Sequence, residues 1–324
     1  MTQADKTVLI TGANTGLGKD VARQLAVLGA FDTIYLACRD EARAQAAKSD
    51  LQRITNKSTF EILLMDTSDL TSVRSAIRTL RQPLHTMLMN AGGTGGPTPM
   101  ALTREGATNI FASNVLGHVV LLEQLIDTRM LTTAAVLTGS EAARGVPKLR
   151  IRRPTFSDCS VEEFATVIDG SYFRDRKLEP MLAYGQVKYL GALWMSALAR
   201  KHPDLRLVTM SPGNTAGTEA LRDSGLLTRA LLQHVVLPYV APAFGVGHKL
   251  EVGAKRLVDA IVDDSFDSGV FYASAPKEII GPVVDQALIV ADFHNETVQD
   301  HADEAIHRFI PAPAPYSPTA TLDD

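Results

Sequence analysis

Tyr184 and Lys188 stand four residues apart in the run Tyr184-Gly185-Gln186-Val187-Lys188. On a helix this spacing puts a phenol and an amine on one face, about a turn apart. A free tyrosine titrates at roughly 10, too high for a good base near neutrality, but a fixed positive charge beside it favours the phenolate. The phenol can then trade protons with a substrate. Alone, Tyr-x-x-x-Lys is also an ordinary helix-surface pair, so its meaning depends on the elements that would hold it.

The first of these elements is at the N-terminus. Thr7-Val8-Leu9-Ile10-Thr11 is a short apolar run leading into Gly12-Ala13-Asn14-Thr15-Gly16-Leu17-Gly18, and residues 19–28 are apolar at helical spacing. A buried strand, a glycine-rich turn and a helix form the unit that sets a pyrophosphate on free N–H groups at a helix N-terminus. Gly12 permits the tight turn, Gly16 the approach of backbone to phosphate, and Gly18 the contact of helix with strand. The second strand, residues 33–38, ends at Arg39-Asp40, roughly where a dinucleotide ribose is read. An acidic side chain there would hold the 2′-hydroxyl of NAD. Here the strand ends in Cys38, and the planar fork of Arg39 suits the 2′-phosphate of NADP. The competing reading is a solvated arginine paired with Asp40 or Glu41.

Further strands are expected at residues 60–65, ending in Asp66-Thr67, and at 86–89, ending in Asn90-Ala91-Gly92-Gly93. Residues 134–137 close on Thr138-Gly139-Ser140, residues 205–210 close on Ser211-Pro212-Gly213, and 269–273 make a seventh strand. Helical patterns at residues 70–80 and 107–126 lie between them. The alternation predicts an α/β, Rossmann-type doubly wound fold, with a mostly parallel seven-stranded sheet and helices on both faces. Small polar groups collect at the carboxyl ends of the strands, where such sheets bind ligands.

In this order the motifs Thr11-Gly12-x3-Gly16-x-Gly18, Asp66, Asn90-Ala91-Gly92, Asn114, Ser140, Tyr184-x3-Lys188 and Pro212-Gly213 resemble the short-chain dehydrogenase/reductase superfamily over roughly residues 6–275. Ala37-Cys38-Arg39-Asp40, Asn114-Val115-Leu116-Gly117-His118 and the long interval from Ser140 to Tyr184 look most like its retinol-dehydrogenase-like and protochlorophyllide-reductase-like branch. The resemblance implies Tyr184 as general acid/base and Lys188 as the group that lowers its pKa and holds the nicotinamide ribose. It implies Ser140 as the group orienting the substrate oxygen. Asn114 would offer a backbone carbonyl to a water connecting Lys188 with solvent. It further implies that Gly12, Asn14, Thr15, Gly16, Leu17, Gly18, Arg39, Asp66, Thr67, Asn90, Ala91 and Gly92 contact NADP(H), together with Tyr184, Lys188, Pro212, Gly213, Thr215 and Thr218. An acid/base within reach of the substrate oxygen is what hydride transfer at a carbonyl or alcohol requires.

The chain departs from the family pattern in three places. Gly139 stands where a serine usually precedes Ser140, which suggests a roomier pocket. Met89 precedes Asn90 in place of an asparagine. Gly217 falls where a threonine commonly binds the nicotinamide carboxamide, leaving Thr218, or Thr215 through its backbone, for that part.

Length and composition fit one catalytic domain over residues 1–310, with a Pro-rich disordered tail at 311–324. The net charge of −4 gives no basic field for nucleic acid. Two cysteines, Cys38 and Cys159, suggest neither a disulfide framework nor a thiolate metal site, and a reducing, cytoplasmic setting is expected. No apolar run reaches a membrane span of roughly 20 residues. Eight scattered histidines show no metal spacing, and His118 reads as a packed helix residue; no metal is expected. The oligomeric state is left open between monomer and homodimer.

Two stretches exceed the minimal pattern. The insert at 144–182 carries Arg150-Ile151-Arg152-Arg153 and a short helix at 161–168, either a cover for the site or a surface excursion. The very apolar 216–247 segment occupies the position where the resembled family places substrate-binding helices; it reads as the wall of an apolar pocket for a hydrophobic substrate, as core packing, or as a peripheral membrane or partner contact. The function expected is an NADP(H)-dependent oxidoreductase of a carbonyl/alcohol pair. Reduction of a conjugated carbon–carbon double bond would use the same donors. A non-catalytic nucleotide-binding regulator is disfavoured, because Ser140, Tyr184 and Lys188 are all present.

Overall fold

In the computed structural model, which describes residues 5–215 and 249–311, the apolar runs form strands. These are β1 (Thr7–Thr11), β2 (Thr33–Cys38), β3 (Phe60–Leu64), β4 (Leu84–Met89), β5 (Leu131–Thr138), β6 (Arg206–Met210), β7 (Phe271–Ser274) and β8 (Val283–Asp285). They make one sheet in the order β3-β2-β1-β4-β5-β6-β7-β8. Every residue of β1 is buried, as a strand covered on both faces must be. Leu9 pairs in parallel with Tyr35 on one side and Met87 on the other. The chain order reverses between β1 and β4, so the crevice of a doubly wound sheet opens at their carboxyl ends.

The sheet has eight strands where the sequence suggested seven. The addition, β8, is a three-residue edge strand running antiparallel to β7. Val283-Val284-Asp285 is too short to show a period-two pattern, and pairing with β7 alone makes it a strand.

Two apolar cores, one per face, carry the sheet. On one face, Val21 and Leu25 of helix Gly16–Leu28 pack with Leu257 of helix Leu250–Val262. On the other, Val115 and Leu190 belong to helices Asn109–Asp127 and Pro180–Lys201. By length and composition alone Asn109–Asp127 could cross a membrane, which the sequence reading did not pick out; 72% of its most apolar 18-residue stretch is buried inside the protein.

The helix in the insert, Val161–Ile168, packs its apolar side into the core. Phe164 is fully buried and meets Phe156 edge-on at 5.1 Å. The C-terminal helix Glu296–His307 closes this face through ion pairs, His307 Nε2 to Glu123 at 2.9 Å and Lys201 Nζ to Asp303 at 2.6 Å. Glu123, Asp303 and His307 come within 4.8 Å of one another, a grouping hidden by their distance in sequence. The apolar segment at 216–247, with Thr218, and residues 312–324 of the tail lie outside the described residues.

Candidate active site

The glycine turn between β1 and the helix Gly16–Leu28 is shaped by close approach. A Cβ on Gly18 would stand 2.6 Å from the carbonyl oxygen of Gly12, so only glycine lets the helix start against the strand. Gly16 is left-handed (φ 54°), with open space where its side chain would be. The residue before the helix, Thr15, makes no side-chain cap, and the first turn holds no acidic residue. The leading N–H groups are therefore free to meet an anion, and this cradle fits a dinucleotide phosphate.

Asn90 holds the turn from the end of β4. Its side-chain amide donates to the Thr11 carbonyl at 3.0 Å, and the N–H groups of Asn90 and Ala91 each donate to the Thr11 hydroxyl at 2.8 Å. That hydroxyl lies 3.0 Å from His118 Nε2, while His118 Nδ1 lies 3.0 Å from the Asn114 carbonyl. A carbonyl only accepts, so Nδ1 carries the hydrogen and Nε2 accepts from Thr11. Burial pushes the imidazole down to about 4, keeping it neutral. The Asn114 carbonyl expected to hold a water thus already accepts from the His118 ring.

Asn114 sits in a π-turn, Ala112–Leu116, within its helix, an irregularity frequent at functional sites. Its side chain donates to Gly93 O at 2.8 Å and accepts from Gly93 N at 3.1 Å, fixing the turn after Ala91-Gly92. Asp66 accepts from the N–H and hydroxyl of Ser68 at 2.9 and 2.6 Å, and Thr67 is buried, donating to Ser113 O at 3.3 Å.

Arg39 is exposed at the end of β2. The neighbouring Asp40 caps the next helix by accepting from Arg43 N at 2.9 Å, and its carboxylate lies 3.9 Å from the Arg43 guanidinium. Asp40 is engaged there, and Arg39 forms no ion pair among the described residues.

Tyr184, Lys188 and Ser140 meet where helix Pro180–Lys201 passes the end of β5. A Cβ on Gly185 would lie 2.6 Å from the Ala142 carbonyl, so the glycine after Tyr184 lets the helix lie close on the turn that follows Ser140. Desolvation pushes the Tyr184 phenol up to about 12, opposed by a hydrogen bond from Ser140 and aided by the charge of Glu141. The Lys188 amine is desolvated as well, which takes it down to about 8. It donates to the Thr138 carbonyl at 2.9 Å and stands 5.7 Å from the Tyr184 ring centroid. In the protein alone, then, burial governs the phenol, and the expected lowering by Lys188 is not among the effects that act on it. Ser140 also caps the following 3-10 turn, accepting from Ala142 N at 3.2 Å.

Gly139 does not enlarge the pocket, contrary to the sequence expectation. A Cβ there would point into the sheet, 2.6 Å from the Phe271 ring and 2.9 Å from the Thr209 methyl. Across the sheet end, Gly213 N donates to the Ser211 hydroxyl at 3.2 Å, and Thr215 Oγ1 donates to the carbonyls of Gly213 and Pro212 at 3.1 and 3.3 Å. The sequence reading missed Glu141, Arg144 and Arg256, all buried beneath this loop. Their only sequence signal was a charged residue directly after Ser140.

The family profile described as short chain dehydrogenase matches residues 6–146. Human retinol dehydrogenase 12 is 30% identical over 285 residues, 86% of this chain and 80% of that protein. The zebrafish WW domain-containing oxidoreductase is 30% identical over 232 residues, 69% of this chain, and the match spans 53% of that longer protein. Among solved structures, L-sorbose reductase from Gluconobacter frateurii, complexed with NADPH and L-sorbose, superposes with a TM-score of 0.57 at 17% identity, covering 86% of this chain and 97% of that one. That likeness concerns the fold.

Proposed function

This chain belongs to the short-chain dehydrogenase family, in its retinol-dehydrogenase-like branch, and we propose that it is an NADP(H)-dependent oxidoreductase acting on a carbonyl or alcohol of a hydrophobic small molecule. The observation that carries this reading is the meeting of Ser140, Tyr184 and Lys188 at the end of β5, at the same carboxyl end of the sheet as the glycine cradle.

The cofactor supplies or accepts the hydride when bound. The free N–H groups after Thr15 would hold its pyrophosphate, Arg39 its 2′-phosphate, and Lys188 with the Pro212-Gly213 turn its nicotinamide end. Tyr184 does the proton work. With its phenol at about 12 it is protonated at neutral pH, the state needed to give a proton to a carbonyl oxygen during reduction. Ser140, whose hydroxyl interacts with the phenol, would turn that hydroxyl to a substrate oxygen. In the reverse direction Tyr184 must first lose its proton, and the Lys188 ammonium is the nearby positive charge that favours this. The very apolar sequence at 216–247 supports a hydrophobic substrate.

The test follows NADPH fluorescence with a panel of aldehydes and ketones, and NADP+ reduction with the matching alcohols. Turnover of a carbonyl that is lost in Tyr184→Phe is expected. Cofactor binding without turnover of any compound in the panel counts against the reading.

A further inference from the structure

Beneath the loop that follows β6, a single buried carboxylate joins three strand ends. Glu141 directly follows Ser140 at the end of β5. Its Oε2 accepts from the Ser211 hydroxyl, at the end of β6, at 2.6 Å. Its Oε1 accepts from Ser274 at the end of β7, from N at 3.2 Å and from Oγ at 2.9 Å. Ser211 in turn accepts from Gly213 N at 3.2 Å, so the carboxylate reaches the Pro212-Gly213 turn through one hydroxyl. Arg256 Nη1 lies 3.7 Å from Glu141 and donates to the Ser274 hydroxyl at 3.1 Å. Arg144 ties the segment beyond β7, donating to the carbonyls of Ser274 at 3.2 Å and Glu278 at 2.7 Å. A carboxylate this buried costs several kcal/mol of desolvation unless its lone pairs are filled; here each oxygen has a donor.

We propose that Glu141 is a positioning residue: it fixes the Pro212-Gly213 turn against the Ser140 turn, so that the nicotinamide end of the cofactor and the Tyr184–Ser140 pair are held in one register. The proposal rests on the oxidoreductase reading for the identity of the cofactor. The phosphate cradle, which would hold the pyrophosphate in the middle of the dinucleotide, is built from β1, β4 and the helix Gly16–Leu28, and Arg39 at the adenosine end follows β2; neither touches Glu141. Loss of the carboxylate should therefore be felt at one end of the cofactor only.

Removing one member of a buried ion pair leaves the other uncompensated, so Glu141→Gln is paired with Ser211→Ala. The second variant keeps both charges and deletes only the hydroxyl between carboxylate and Gly213. Affinities of the full chain are measured by calorimetry for NADPH and for 2′,5′-ADP, which lacks the nicotinamide half. Each variant is expected to bind NADPH about 10-fold or more weakly, the scale of one charge-assisted hydrogen bond, with 2′,5′-ADP affinity unchanged. If Glu141→Gln does not fold, Ser211→Ala decides the matter. Unchanged NADPH affinity, equal weakening of NADPH and 2′,5′-ADP, or a wild type that binds NADPH no better than 2′,5′-ADP overturns the proposal. A wild type that binds NADPH but turns over no carbonyl defeats the oxidoreductase reading, while the affinity pattern still decides the role of Glu141.

Discussion

The Lys188 ammonium reaches the carbonyl of Thr138 at 2.9 Å, and not the phenol oxygen of Tyr184, whose ring centroid is 5.7 Å away. The pair that shares a helix face in sequence is thus split by the end of β5, which takes the amine as a donor. Two consequences follow from burial. The phenol stays protonated to about 12, and the amine loses its charge near 8.

Lys188 should therefore impose a pH dependence on cofactor binding. Its pKa is lowered by burial from 10.5 to about 8, so its ammonium is present below that value and lost as pH rises through it. NADPH affinity is expected to drop by about 10-fold between pH of about 7 and about 9, the scale of a charge-assisted hydrogen bond. Calorimetry over this range checks it, and Lys188→Met should give a weak, flat profile.

Arg39 should choose the cofactor. Of the two neighbours able to compete for it, Asp40 is occupied as a helix cap and by Arg43, and Glu41 forms no ion pair with it among the described residues. A hydrogen bond to a charged group contributes about 1.5–3 kcal/mol, so NADPH should outbind NADH by about 10- to 100-fold. Arg39→Leu should remove most of that preference by weakening NADPH alone. Equal affinities for the two cofactors in the wild type would contradict the assignment.

Gly139→Ser restores the serine pair usual in the family, and here it should destabilise. The new side chain would enter the contact with Phe271 and Thr209 at 2.6 and 2.9 Å. Overpacking of this kind costs about 1–3 kcal/mol, readable by urea unfolding. A mutant of full stability with an altered substrate range would return Gly139 to the pocket wall.

His307 gives stability a pH signature. A hydrogen bond with Glu123, the largest contribution, raises its pKa from 6.5 to about 9, with burial opposing. A raised pKa means the pair stabilises fully below about 6.5, and the contribution fades as pH climbs through about 9. The ring is 39% exposed, so solvent screens the pair and the effect should be about 1 kcal/mol or less. The melting temperature of the wild type should fall across that range more than that of His307→Gln.

Much of this was legible in the sequence because the relevant signals are local. Thr7–Thr11 with Gly12, Gly16 and Gly18 is a strand, a turn and a helix start within a dozen residues, and the structure forms them there. Tyr184 and Lys188 share a helix, and Ser140 ends a strand. What escaped depends on residues distant in the chain. Gly139 looked like spare room because Phe271, which fills that room, lies far downstream. The tie of His118 to both Thr11 and Asn114, and of Glu141 to Ser211, Ser274 and Arg256, exists only once the strands are side by side. β8 needed β7 as a partner before three residues could count as a strand.

The central claim is that Tyr184 moves the proton, and single-turnover measurement of Tyr184→Phe with NADPH and a carbonyl reduced by the wild type tests it most directly. The substitution deletes one hydroxyl from a partly buried ring, so folding and NADPH affinity should stay near wild type. The rate of the chemical step should fall by at least about 10²-fold, the low end of general acid–base contributions. A mutant that binds NADPH normally and keeps a chemical step close to the wild-type rate would contradict the account.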